Sequence, residues 1–185
     1  MKRLRTTFKT VAILLFLVQL QTSFAEKNEQ LVKAIFLEKF TQFIDWPSES
    51  TIEDSSSPFI LGVIGKNPFG TNLEDIYSSQ KIKNRKVEIR YLSNIEEIEA
   101  CHLLFIGKAK KDIISQIISY TRDKSILTVS DSKGNAKRGV CINFYQDGEK
   151  IRFEINQTAV QISGFKMSYK LLKLARIVKP VKSEL

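Results

Sequence analysis

One histidine, two cysteines and one tryptophan are all that the 185 residues hold of those three types, and glycine (eight) and proline (four) are also scarce. With His102 as the sole imidazole and no Cys/His pair at ligand spacing, a zinc centre has no donor set. A Ser-His nucleophile system would have to use that one ring, which opens a run that reads as a buried strand, HLLFIG, so His102 is expected to be structural. No serine stands in a G-x-S-x-G elbow, and no phosphate-loop or dinucleotide glycine pattern occurs. The carboxylate pairs Glu53-Asp54 and Glu96-Glu97 read as solvated loop and helix charges. Nothing in the sequence supports catalysis, a cofactor or a metal, and the low proline and glycine content leaves no low-complexity tract.

Long apolar runs are equally few. The first, Val11 to Val18, follows Lys2, Arg3, Arg5 and Lys9 and precedes Ser23-Phe24-Ala25, with Gln19, Gln21 and Thr22 ending it early. A basic start, an apolar stretch too short for a bilayer and small residues at the cleavage position describe a signal peptide over residues 1–25. Setting it aside lowers the formal charge of +9 to about +5, mildly basic and without a nucleic-acid signature. The remaining residues 26–185 have the length of one ordinary domain, in an extracytoplasmic compartment. Cys101 and Cys141 sit in strand-like runs and read as small apolar core residues; they would bridge only if those strands adjoin with the side chains facing.

What the chain does have is a concentrated aromatic start. KAIFLEKFTQFIDWP, residues 33–47, carries three phenylalanines and the tryptophan. Val32, Phe36, Phe40 and Phe43 recur at helical spacing, with Ile35, Leu37 and Ile44 widening the stripe, and Pro47 is expected to end the helix at Trp46. Two readings follow: Phe36, Phe40 and Phe43 form the inner face of the helix with Trp46 plugging the corner at Pro47, or, since there are more apolar residues than one stripe needs, Phe43, Ile44 and Trp46 stand at a rim offered to a partner or a second copy of the chain.

After the polar stretch SESTIEDSSS the pattern alternates. FILGVIG, KVEIRYL, HLLFIG and ILTVSD read as strands, separated by KNPFGTNLEDIYSS, in which Asn67 is expected to cap a helix with Pro68 in first position, by the short NIEEIEA turn, and by KKDIISQIISYTRD, whose four isoleucines share a face. Such alternation implies a mostly parallel sheet covered on both sides. VCINFYQDGEKIRFEIN then gives two alternating strands about Asp147-Gly148, an antiparallel hairpin that extends or edges the sheet. Asn156 caps TAVQIS, a better account of Asn156-Gln157-Thr158 than glycosylation, and Ser168 caps YKLLKLARIV. The expected fold class is α/β: a single three-layer domain, a mostly parallel sheet flanked by helices, with a C-terminal antiparallel hairpin.

Three of these strands end in glycine-lysine segments: IGKNPFG, IGKAKK and VSDSKGNAKRG. If the strands are parallel, Lys66, Asn67, Gly70, Lys108 and Lys133, with Lys137 and Arg138 near them, share the carboxyl edge of the sheet, where an anionic small molecule is favoured. That reading makes the protein a binding protein for an anionic metabolite.

The ordered series VKAIFLEKFTQFIDWP, FILGVIGKNPFG, CHLLFIG, ILTVSD, GVCINFYQDGEKIRFEINQTAV and LLKLARIV resembles the YfiR-like family, over about residues 32 to 178. The resemblance implies a compact periplasmic α/β domain that does no chemistry. It implies a repressor that engages the periplasmic part of an inner-membrane diguanylate cyclase or related sensor, with an outer-membrane lipoprotein as a further partner, and so sets cyclic di-GMP and biofilm formation. The family's founding member uses disulfides; this chain has only Cys101 and Cys141 for such a pairing.

Overall fold

The computed structural model describes residues 28–48, 50 and 56–180, so the expected signal peptide and much of the SESTIEDSSS loop lie outside the described residues. Eight strands of the described residues form one sheet. Its centre is parallel: β2 (Phe59–Ile64) lies between β4 (Arg85–Leu92) and β5 (Leu103–Ile106), and β6 (Leu127–Ser130) follows, then β7 (Ile142–Asp147). β3 (Lys81–Ile82) turns back antiparallel on β4 at one edge.

The central strands β2, β5 and β6 are buried at every residue because both faces of the sheet are covered there, whereas β4 alternates buried and exposed positions. Phe59, Leu61, Val63, Leu103 and Phe105 point to one core, and Ile60, Ile64, Leu104 and Ile106 to another. The first core is closed by a helix over 28–42 (α1), by α2 (Asn72–Tyr77) and by Leu171 of α6 (Tyr169–Leu174); the second by Ile114 and Ile117 of α3 (Lys111–Thr121) and Ile98 of the 3-10 turn Glu96–Ala100. These are the three layers expected from the alternation. Cys101 belongs to the second core and Cys141 to the first, each buried as a free thiol on its own side of the sheet.

The hairpin of β7 and β8 (Lys150–Asn156) is antiparallel, and the pairing Asp147↔Lys150 makes Gly148 and Glu149 its two loop residues. Gly148 has φ 61, as a primed turn requires at its first central position. The hairpin does not form the edge, however. β10 (Arg176–Val178) pairs parallel with β8 outside it. The expected helix YKLLKLARIV therefore stops at Leu174, because Ala175 turns extended and the last residues gain sheet hydrogen bonds and the Arg176–Glu154 ion pair (2.6 Å). Both caps form as expected: Asn156 accepts from Ala159 N–H at 3.0 Å at the start of α5 (Gln157–Ile162), and Ser168 accepts from Leu171 N–H at 3.4 Å.

Two expectations for the other helices are corrected. α1 ends at residue 42 rather than at Trp46; Ile44–Asp45 is a strand, β1, paired antiparallel with β9 (Lys166–Met167), and Phe43 C=O accepts from Ser168 N–H at 2.9 Å. Sheet bonds to a distant segment displace the last helical turn. Asn67 does not cap a helix: α2 starts five residues later behind Thr71, and Asn67 instead folds its own loop, accepting from Phe69 N–H at 2.8 Å and donating to Gly70 C=O at 3.3 Å.

Candidate functional site

Parallel β2, β5 and β6 bring their carboxyl ends to one edge, so the segments carrying Lys66, Lys108 and Lys133 share it. Gly65, at φ 85, turns the chain so that Lys66 pairs with Lys108 in an isolated antiparallel bridge, with Lys66 N–H donating to Lys108 C=O at 3.2 Å. Lys66, Gly70, Lys108 and Lys133 are exposed and Asn67 half-buried. Arg138 does not join them. It ends α4 (Asn135–Arg138), which leads the chain down to the start of β7, and it lines a cleft at the opposite edge.

Lys33, which the apolar stripe of α1 did not include, also reaches the carboxyl edge. It is 8% exposed and bonds Asp131, just past β6, at 2.9 Å and Glu29 at 2.7 Å. Burial alone would lower its pKa, but the bonds to Glu29 and Asp131 outweigh burial and raise it, which keeps the ammonium charged. Asp131 is thus neutralised, and Lys66, Lys108 and Lys133 face no exposed partner acid among the salt bridges of the described residues.

Burial of Lys33 also sets the rotation of α1. Its inner face is Lys33, Ala34, Leu37, Phe40 and Thr41, with Phe36 on the flank. Val32, expected inside, instead joins Leu31 and Ile35 on the outward face, where the three are 37%, 39% and 42% exposed. They form an apolar stripe over more than one turn that packs on nothing else among the described residues of the core clusters.

The expected rim residues divide. Ile44 has no exposed surface and belongs to the core. Phe43 and Trp46 are half-buried, the indole lying edge-on to Phe165 (centroids 5.2 Å apart) and Phe59 (6.3 Å), with the Lys83 ammonium 5.6 Å from its ring. The Trp46 Nε1 is buried and has no hydrogen-bond partner among the described residues.

His102 is 7% exposed and structural. Its Nδ1 accepts from Ile60 N–H at 2.9 Å and its ring stacks on Phe59. Its Nε2 lies 3.4 Å from the Arg85 Nη1. Burial, then the charges of Arg85 and Arg90, push the pKa from the ordinary 6.5 down to about 4. The unfolded chain takes up this proton near pH 6.5 and the fold only near pH 4, so stability is complete above 6.5 and falls as pH drops through that window, by up to about 3 kcal/mol. His102→Gln should flatten the pH dependence of the urea midpoint between pH 6.5 and 4; an unchanged slope would assign the acid sensitivity elsewhere.

No group of three or more His, Cys, Asp or Glu side chains suited to a metal occurs among the described residues. No helix among them is long and apolar enough to cross a membrane.

A search of curated proteins returns no match. A family model described as YfiR/HmsC-like matches residues 30–176, from the first turn of α1 to the start of β10. At family level its members are periplasmic regulators of diguanylate cyclase signalling, not enzymes, and they act with a periplasmic sensor or cyclase partner. With nearly the whole described fold inside that match, the chain belongs to the YfiR/HmsC-like family.

Proposed function

We propose that this protein is a periplasmic repressor of an inner-membrane diguanylate cyclase or related sensor, that it acts by protein contact without chemistry, and that it thereby lowers cyclic di-GMP and biofilm formation. Family membership supplies the signalling role. The observation that supports contact as the means is the outward stripe of Leu31, Val32 and Ile35 on α1, held rigid from behind by Lys33, Leu37 and Phe40. Pre-positioned apolar side chains on a packed helix lose little entropy on docking, so they suit a partner's periplasmic surface. Phe43 and Trp46 border the same helix at its far end and extend the contact along it, while Ile44 anchors the turn that positions them. An outer-membrane lipoprotein competing for the protein would shift it between two bound populations.

Ile35→Asp places a charge on this face at a residue that is 42% exposed and belongs to neither core cluster. It should leave the unfolding midpoint nearly unchanged and weaken capture of the membrane partner at least tenfold. The measurement is recovery of that partner from detergent-solubilised envelopes, quantified by mass spectrometry against the wild-type protein.

The second reading, binding of an anionic metabolite at the carboxyl edge, is supported by the convergence of Lys66, Lys108 and Lys133 there. It requires salt-sensitive stabilisation that disappears in Lys66→Ala, Lys108→Ala.

A further inference from the structure

A cleft of about 420 Å³ opens at the edge of the sheet opposite the lysines, between the end of α3, the end of α4 and the start of α5. It is within the size range of small-molecule sites. Two arginines stand on its walls, Arg122 just past α3 and Arg138 at the end of α4, and no carboxylate of the described residues lines it. Neither guanidinium has an ion-pair partner among the described residues. Arg138 gives one hydrogen bond, from Nη1 to Asn135 Oδ1 at 3.1 Å, which leaves most of its five donors available.

Several of the other lining groups are tied into the fold. Thr128 Oγ1 accepts from Cys141 N–H at 3.0 Å, and the Asn156 amide bridges Ala136 C=O (2.6 Å) to Ala159 N–H (3.0 Å). Ser163 Oγ donates to Arg122 C=O at 3.2 Å, tying the end of α3 to the end of α5. Gly139, at φ 133, lets α4 end directly against Ile118, since a Cβ there would come within 2.7 Å of the Ile118 Cγ2. Ile118 and Ile162 add an apolar surface beside the two cations.

We propose that this cleft binds a small organic anion, its single carboxylate or phosphate group held by Arg122 and Arg138 and its apolar or aromatic body laid against Ile118 and Ile162. Planar guanidinium forks match both anion geometries, and with no acid in the lining, cationic ligands and divalent metals are disfavoured. The site stands on this geometry alone and is independent of the protein partner.

Isothermal titration of the purified protein with phenyl phosphate, benzoate and inorganic phosphate tests it. At least one of the two aromatic anions should saturate a single site at least tenfold more tightly than inorganic phosphate does. Arg138→Gln should weaken that binding tenfold or more and Arg122→Gln severalfold, while Lys66→Gln with Lys108→Gln leaves it unchanged. Absence of saturable binding by all three anions overturns the proposal. So does equal affinity for inorganic phosphate, which removes the apolar surface from recognition, or loss only in the lysine variant, which moves the anion to the other edge.

Discussion

Phe40→Ala should lower the stability of the fold by about 4 kcal/mol, the upper range for a buried aromatic truncated to alanine. The Phe40 ring has no exposed surface and lies 5.0 Å from Phe153, 5.5 Å from Phe144 and 5.7 Å from Phe36, centroid to centroid. These rings come from α1 and from both strands of the hairpin, so the substitution removes the contact that clamps the first helix to the C-terminal part of the sheet. Their neighbours are held by the sheet and cannot collapse into the space, which adds a cavity cost to the lost burial. Phe36→Ala, on the half-buried flank, should cost less than half as much. Urea midpoints of the two variants check this; a shift for Phe40→Ala equal to or below that of Phe36→Ala would mean that α1 is not docked through this cluster.

Gly107→Ala should cost about 3 kcal/mol, because it overfills a contact made by backbone rather than by a movable side chain. A Cβ at Gly107 would fall inside the Lys66 carbonyl oxygen, with the Lys66 carbonyl carbon at 2.9 Å and nitrogen at 3.1 Å. Relief requires the ends of β2 and β5 to separate, breaking the Gly107 N–H bond to Ile64 C=O (2.8 Å) and the Lys66–Lys108 bridge. Gly70→Ala supplies the contrast: its φ is 58, but no atom lies within 4 Å of the added methyl, so only the left-handed conformation is penalised, by about 1 kcal/mol. Equal losses in the two variants would show that backbone conformation rather than the close strand contact sets the cost at Gly107.

The parts of the fold visible in the sequence are those whose cause is local. FILGVI, LLFI and LTVS are buried at every position because both faces of the sheet are covered, and the first two read as continuous apolar runs. The hairpin announces itself by Gly148, and Asn156 and Ser168 by their position before short apolar helices. The parts that were not visible depend on partners far along the chain. Lys33 is buried by Asp131, 98 residues away, so the stripe read from Val32 and Phe36 is rotated from the true inner face. β1 exists because Lys166–Met167 pairs with it, and β10 because β8 offers an open edge; locally both continue helical patterns. The same holds for the candidate surfaces. Glycine-lysine endings mark the carboxyl edge in the sequence, whereas the cleft with Arg122 and Arg138 is assembled from the ends of separate helices and has no linear signature.

The central claim is repression by contact, and it is tested most directly by capturing partners of the tagged protein from the detergent-solubilised envelope of its host. The wild-type protein should recover an inner-membrane protein that carries both a periplasmic part and a diguanylate cyclase or sensor module, and Ile35→Asp, equally stable, should recover at least tenfold less of it. Failure of the wild-type protein to recover any such protein, or equal recovery by the Ile35→Asp variant, would contradict the account.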